Sequence, residues 1–303
     1  MKKILVIGSL NLDIVARVGH MPEIGETILS DDMEMIPGGK GANQACAAGK
    51  LGARVCMLGA LGKDAYGNIL LESLQNAGVD TSRLIRRERE STGLALINVN
   101  AEGNNSIVVI PGANQTVDKN YIDENEEAIK ESDIIILQME IPIATVLYAA
   151  QKAKKWGKTV ILDPAPVPEY FPQELFQYVD IIKPNETELQ MIAKAGGESL
   201  ELEWAAEYLR QKGVKDVIVT LGEKGVYVNS ERKGILQIPA QKVEAVDTTA
   251  AGDTFTAAMA VKLAEEADIE QAVEFANRAS AIAVTRKGAQ ASIPTREEVC
   301  MGM

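Results

Sequence analysis

Residues 245–255 read A-V-D-T-T-A-A-G-D-T-F, which sets two carboxylates, Asp247 and Asp253, around a turn of very small side chains. A short apolar run ends at Asp247. Phe255, Met259 and Leu263 then recur at four-residue spacing, so a helix is expected to begin near Gly252. With no bulky side chains in the way, the backbone N–H groups of Ala250, Ala251 and Gly252 can approach a ligand, and a helix N-terminus favours an anion. A carboxylate in that first turn would repel a phosphate. Asp253 therefore either accepts a proton from a hydroxyl that attacks phosphorus, or simply caps its helix. This stretch alone leaves both readings open.

A second stretch, residues 38–45, reads G-G-K-G-A-N-Q-A. Its glycines permit close backbone approach to a ligand. Lys40 and Asn43 lie one turn apart at the start of an expected helix and can face one site. No Gly-Lys-Ser/Thr follows, so this is not a Walker A loop. Near the N-terminus, Asn11 and Asp13 follow an apolar strand at residues 4–7. Side chains two apart in extended chain share a face, so the pair could hydrogen-bond one small polyol or form an Asx turn.

The run at 247–253 resembles D-T-x-x-A-G-D, the carboxy-terminal signature of the ribokinase-like (PfkB) carbohydrate kinases. Residues 38–45, taken on through Gly52, Gly59, Gly62 and Asp64, resemble the amino-terminal signature of the same family. The likeness runs from Ile4 to about Pro294 and includes Gln138, Met139 and Glu140, and the D-P-A-P at 163–166. It implies a ribokinase-like three-layer α/β/α fold with a mainly parallel sheet and a small β-sheet lid. It also implies transfer of the γ-phosphoryl of ATP to the 5-hydroxyl of D-ribose. Asp253 would be the base, and Ala250, Ala251 and Gly252 the anion hole. Asn11, Asp13, Gly39, Lys40, Asn43 and Glu140, with Asp253, would hold the sugar.

Residues 185–188, N-E-T-E, resemble the family's N-x-x-E motif, in which the glutamate supports Mg²⁺ through water; here that is Glu188. The nucleotide would meet Asn185, Thr220, Gly222, Gly225, Gly252 and Asn277. A K⁺ ion would be ringed by Asp247, Thr249, Ala283, Arg286, Gly288 and Ser292. Ala250 departs from the family pattern, where many relatives carry glycine, which narrows the anion hole. Related acceptors (2-deoxyribose, fructose) would use the same machinery, and a non-catalytic sugar-binding regulator would be expected to lose it. A nucleoside acceptor is disfavoured because Tyr66 is the only aromatic residue before position 111.

The elements that must position these residues are also legible. From residue 117 onward, apolar runs at 134–137, 159–162, 180–182 and 217–220 alternate with helical patterns at 142–156, 186–195, 201–212, 253–266 and 270–286. Such alternation predicts a parallel sheet covered on both faces, with ligands beyond the strand carboxyl ends. The polar residues following each run are Asn11 and Asp13, Glu140, Asp163, Lys183 with Asn185, Thr220, and Asp247. Apolar pieces at 14–18 and 27–36, and a hairpin at 93–110, interrupt the rhythm. We expect one α/β domain over 1–303 with lid strands from about 14–36 and 93–110. The lid is apolar on both faces, which suggests a homodimer.

The 46% hydrophobic content suffices for a core of this size, and a net charge of −12 argues against nucleic-acid or anionic-membrane partners. The single histidine, His20, makes a His-based triad or metal site improbable. Cys46, Cys56 and Cys300 lack metal or redox spacing. No apolar run is long enough for a membrane span or a signal peptide, so a cytoplasmic location is expected.

Overall fold

The computed structural model describes residues 2–30, 32–193 and 201–301. Among them lie the strands β1 (Lys3–Ile7), β2 (Asn11–Arg17), β3 (Asp32–Gly38), β4 (Arg54–Leu58), β5 (Ala60–Gly62), β6 (Ile85–Arg87), β7 (Gly93–Val99), β8 (Asn105–Ile110), β9 (Ile134–Leu137), β10 (Thr159–Leu162), β11 (Ile181–Ile182), β12 (Asp216–Thr220), β13 (Val226–Ser230) and β14 (Gly234–Ile238). Eight of them form one sheet in the order β14-β13-β12-β11-β10-β9-β1-β4. It is parallel from β4 to β12, and β13 runs antiparallel to both its neighbours.

Strand alternation divides the core. Ile4 and Val6 of β1 enter one buried cluster, and Leu5 and Ile7 enter the other. The first cluster is covered by helices Lys40–Lys50, Ala65–Asn76, Ala251–Ala264 and Ile269–Ala283, and the second by Ile143–Lys155, Glu186–Ala193 and Leu202–Gln211. A strand buried on both faces has no polar side to show, which explains the uncharged sequences I-I-I-L in β9 and T-V-I-L in β10. This is the expected three-layer α/β arrangement. Among the described residues no helix is long and apolar enough to cross a membrane.

A second sheet, β3-β2-β7-β8, stands apart from the first. β2 begins only four residues after β1 ends, so the end of the central strand leads straight into the lid. One of its faces exposes Met33, Met35, Leu96 and Val108, and the opposite face, which carries Asp13, exposes Ile107 and Val109.

Several expectations need correction. The lid strand expected at 14–18 starts earlier, at Asn11, and residues 18–30 carry no strand. β4 and the β13–β14 hairpin extend the main sheet beyond the strands the apolar runs suggested. The run before Asp247 is not a strand at all. The N–H groups of Val246 and Asp247 donate instead to the carbonyl of Val284, at 2.7 and 3.1 Å, so the segment is tied to a loop and not to a sheet neighbour. The helix expected at 186–195 is described as Glu186–Ala193, and its last two expected residues lie outside the described residues.

Candidate active site

β1 pairs with β9 on one side and β4 on the other, so the chain reverses its direction of winding between β1 and β9. Ligands bind open α/β sheets at such a point, beyond the strand carboxyl ends. Ser9 follows β1 and Glu140 follows β9. The Ser9 hydroxyl donates to Glu140 Oε2 at 2.5 Å, and the same oxygen accepts the backbone N–H of Lys40 at 3.0 Å. Helix Lys40–Lys50 is thereby pinned at its start to the reversal point. Gly39 makes that possible. Its φ is +86°, and a Cβ there would lie 2.6 Å from the backbone nitrogen of Asn11.

Helix Lys40–Lys50 packs against helix Ala251–Ala264, and their first turns share a polar network. Asp253 is 5% exposed. Its Oδ2 accepts from the Asn43 amide and its Oδ1 from the Gln44 amide, each at 2.9 Å. Gln44 Nε2 also donates to Asp163 Oδ2 at 2.8 Å, and Gln138 donates into Gln44 Oε1 at 2.7 Å. Asp253 therefore caps nothing. Its helix has no side-chain cap, and Ala250 at the cap position adopts a left-handed conformation with φ 59°. The Ala251 N–H donates to the Thr248 carbonyl at 3.2 Å, and the N–H groups of Ala250 and Gly252 are left for an anion. Of the two readings of Asp253 open in the sequence, capping is excluded.

Electrostatics suit a proton acceptor. Burial raises the Asp253 carboxyl above the usual carboxylate range, against the pull of Lys40 and helped by Asp163. Asp13 is pushed to about 7, first by burial and then by the charges of Glu140 and Asp253. Burial works to lower the Lys40 ammonium, but Asp253, Asp163 and Glu140 outweigh it and the net shift is upward. Lys40 is thus a fixed cation among carboxylates. Asn11 is positioned by Asn114, whose amide donates to Asn11 Oδ1 at 2.8 Å while its own Oδ1 accepts from Leu10 N–H. Asn11, Asp13, Gly39, Lys40, Asn43, Glu140 and Asp253, expected from the sequence, thus lie around one reversal point.

On the other side of the Ala251–Ala264 start lies a cleft of about 380 Å³. Asn185, Thr220, Gly222, Gly225, Gly252 and Asn277 all line it, as expected, and Gly252 borders both halves of the site. Its walls are mostly apolar, with Val243, Ala245, Phe255 and Ala281 among them. Asn277 donates its amide to the Pro239 carbonyl at 2.8 Å, which leaves its oxygen as an acceptor. Asn185 and Glu188 bond reciprocally, backbone to side chain, at 2.8 Å in both directions.

The expected cation residues are partly joined. Asp247 Oδ1 accepts the N–H and hydroxyl of Thr249, at 2.9 and 2.6 Å, and Oδ2 accepts the N–H of Gly288 at 2.9 Å. Burial opposes ionisation of Asp247, yet these bonds hold its carboxyl below the usual range. The N–H of Arg286 donates to the carbonyl of Ala283 at 3.1 Å. The Arg286 side chain turns to Glu298, 2.6 Å away, which draws that carboxyl down to about 2. The Ser292 hydroxyl donates to the Ala289 carbonyl.

Sequence reasoning gave no role to Ser9, Gln44 or Asn114, and it placed Asp163 and Lys183 at strand ends, Asp163 also within the family likeness, without assigning either a chemical role. The available signal was polar side chains embedded in runs of small or apolar ones, such as Asn43 and Gln44 between Ala42 and Ala45.

The model of the pfkB carbohydrate kinase family matches residues 1–296. The ribokinase of Haemophilus influenzae is 40% identical over 98% of this chain and 97% of its own length. Among solved structures, a ribokinase from Thermotoga maritima superposes with a TM-score of 0.93 at 43% identity, covering 99% of both chains. The Arabidopsis thaliana ribokinase, solved with ribose and ATP, gives 0.93 at 35% identity over 99% of this chain and 98% of that one.

Proposed function

We propose a kinase of D-ribose, from the premise that this chain belongs to the pfkB family of carbohydrate kinases. It transfers the γ-phosphoryl of ATP to the 5-hydroxyl of D-ribose, giving D-ribose 5-phosphate. One observation carries the reading in this chain. A buried carboxylate, Asp253, sits under an uncapped helix start, with a polar cluster on one side and a nucleotide-sized cleft on the other. The similarity to enzymes named ribokinase selects the acceptor.

The mechanism follows from this geometry. Asn11, Asp13, Lys40, Asn43 and Glu140 hold the sugar hydroxyls, and Gly39 lets the backbone come close. Asp253 removes the 5-hydroxyl proton as the new oxygen–phosphorus bond forms. The N–H groups of Ala250 and Gly252, joined by that of Ala251 if it turns from the Thr248 carbonyl, receive the charge that builds on the phosphoryl oxygens. Positioning and electrostatic stabilisation dominate such transfers. The nucleotide lies along Asn185, Thr220, Gly222, Gly225 and Asn277. The lid sheet closes over the sugar and excludes water, the competing acceptor.

Two cations belong to the proposal. Glu188 gives one oxygen to the Asn185 backbone, and among the described residues no cluster of three acidic, His or Cys ligands exists. A lone carboxylate suits Mg²⁺ held through water, which would offset phosphate charge. Asp247 is the only carboxylate in the Thr249, Ala283, Arg286, Gly288 and Ser292 set. One charge among carbonyl and hydroxyl oxygens suits K⁺, and Arg286 would offer only its backbone oxygen. That ion would stiffen the turn carrying the anion hole. The remaining parts of the proposal are a single domain over 1–303, a homodimer through the exposed lid face, and a cytoplasmic setting.

The test is ATP-dependent phosphorylation of D-ribose, 2-deoxyribose, fructose and adenosine, with Mg²⁺, with and without K⁺. D-Ribose is expected to be preferred and K⁺ to raise its turnover. Preference for another sugar would keep the mechanism and replace the acceptor. Sugar binding with no turnover would leave a regulator.

A further inference from the structure

Lys183 directly follows β11 and is 4% exposed, beneath the anion hole. Burying an ammonium is costly unless it is paired and its donors are met. Asp163, 1% exposed, supplies the pairing charge, with its Oδ1 3.2 Å from Lys183 Nζ. That contact is off-line: Asp163 Oδ1 has no aligned hydrogen bond. Asp163 Oδ2 is taken by Gln44 and, more distantly, by Thr256. Among the described residues none of the three Lys183 N–H groups is aligned on an acceptor. What Nζ does face is Gly252, since a Cβ on that residue would lie 3.2 Å from it. Gly252 belongs to the anion hole and also lines the nucleotide cleft. A buried, charge-paired lysine with free donors, aimed at an anion site, lacks one partner: an anionic oxygen.

We propose that Lys183 is a catalytic residue that donates to an oxygen of the phosphoryl group in transfer, with Asp163 holding it in place. The inference rests on the kinase reading above. The bond from the sugar 5-oxygen to phosphorus forms, the bond from phosphorus to the ADP oxygen breaks, and the hydroxyl proton goes to Asp253. Lys183 keeps its protons throughout and supplies charge. Asp163 orients both Lys183 and, through Gln44, the base, so charge delivery and proton removal share one support.

The experiment compares the parent, Lys183→Met, Lys183→Arg and Lys183→Met/Asp163→Asn. Parent turnover on D-ribose tests the kinase reading by itself. Lys183→Met is expected to lower kcat by about 10²–10³-fold, the usual loss for one preorganised donor to a developing charge. The ribose KM should stay within about threefold of the parent's, and Lys183→Arg should recover part of kcat. The double variant removes both buried charges, so its melting temperature should return towards the parent's while its rate stays low. Independently of any acceptor, ADP binding is measured with and without aluminium fluoride, a mimic of the transferring phosphoryl. Lys183→Met should bind ADP normally and lose the tightening that aluminium fluoride brings. Turnover within about threefold of the parent, or full tightening by aluminium fluoride, would overturn the proposal. Should the parent phosphorylate no sugar, the kinase reading falls and the aluminium fluoride comparison still decides for or against Lys183.

Discussion

Asp64 and Asp253 each stand at a helix start within a stretch that resembles a family signature, and they are put to opposite uses. Asp64 is half-buried at the cap of helix Ala65–Asn76. Its Oδ1 accepts from the Gly67 N–H at 2.7 Å and the Thr92 hydroxyl at 2.6 Å, and its Oδ2 from the Thr92 N–H at 2.8 Å. Burial opposes its ionisation, but those donors lower its pKa. Asp253 lies inside its helix, receives two side-chain amides and leaves the helix start bare, and burial raises its pKa. One carboxylate is satisfied and stabilises the charged form. The other is held in position while its affinity for a proton is kept high. Proximity to a helix N-terminus does not decide which; the donors around it do.

The sharpest way to break this contrast is Asp253→Asn, which keeps the shape and removes the base. Its kcat should fall by about 10²–10⁴-fold, with ribose still bound in calorimetry. Ordinary turnover by that variant would return Asp253 to the status of Asp64. The second test is pH. With Asp13 near 7, sugar hydroxyls lose a charged acceptor as pH falls below that value. The kcat/KM for ribose should drop by about tenfold per unit below about pH 7. The stability sign is the reverse. The native Asp13 binds a proton that the unfolded chain, near 3.8, releases, so stability falls as pH rises from about 4 to 7. Asp13→Asn should melt higher than the parent at pH 8.

Third, Asp64→Ala should lose about 1–2 kcal/mol of stability in denaturant titration, as lost caps do, with kcat within about threefold. A collapse of kcat at unchanged stability would mean that the two aspartates are not divided as described. The smallest effect is expected at Ala250. A left-handed alanine is disfavoured by about 1–2 kcal/mol, and glycine gives back roughly 0.5–1 kcal/mol through a more flexible unfolded chain. Ala250→Gly should therefore gain about 0.5–1 kcal/mol, seen as a slightly raised melting temperature.

Much of this was legible in the chain because the relevant signals are local. Apolar runs without charge announced β1, β9 and β10, and small residues before Phe255, Met259 and Leu263 announced the bare helix start. Asn11, Asp13 and Asp163 were visible because each follows such a run. What stayed hidden depends on long-range meetings. Gln44 reads as one more helix residue until Asp163 and Asp253 arrive at either side of its amide. Lys183 reads as a loop cation until Gly252 is packed against it. Residues 243–246 have the composition of a strand, but strand formation needs a neighbouring strand, and here the Val246 N–H is committed to the carbonyl of Val284. The β13–β14 hairpin was overlooked because the glycines before it drew attention as a loop.

Asn43 and Asp253, which meet at 2.9 Å, are separated by 210 residues. On a ribosome adding about 5–20 residues each second, the sugar-side half of the site would wait roughly 10–40 s for its base. A chain released before residue 250 would carry the sugar-holding residues and part of the nucleotide cleft, but neither the anion hole nor the base. Because the donors for the phosphoryl charge and the base that activates the acceptor arrive together at 250–253, a truncated chain should neither phosphorylate a sugar nor hydrolyse ATP.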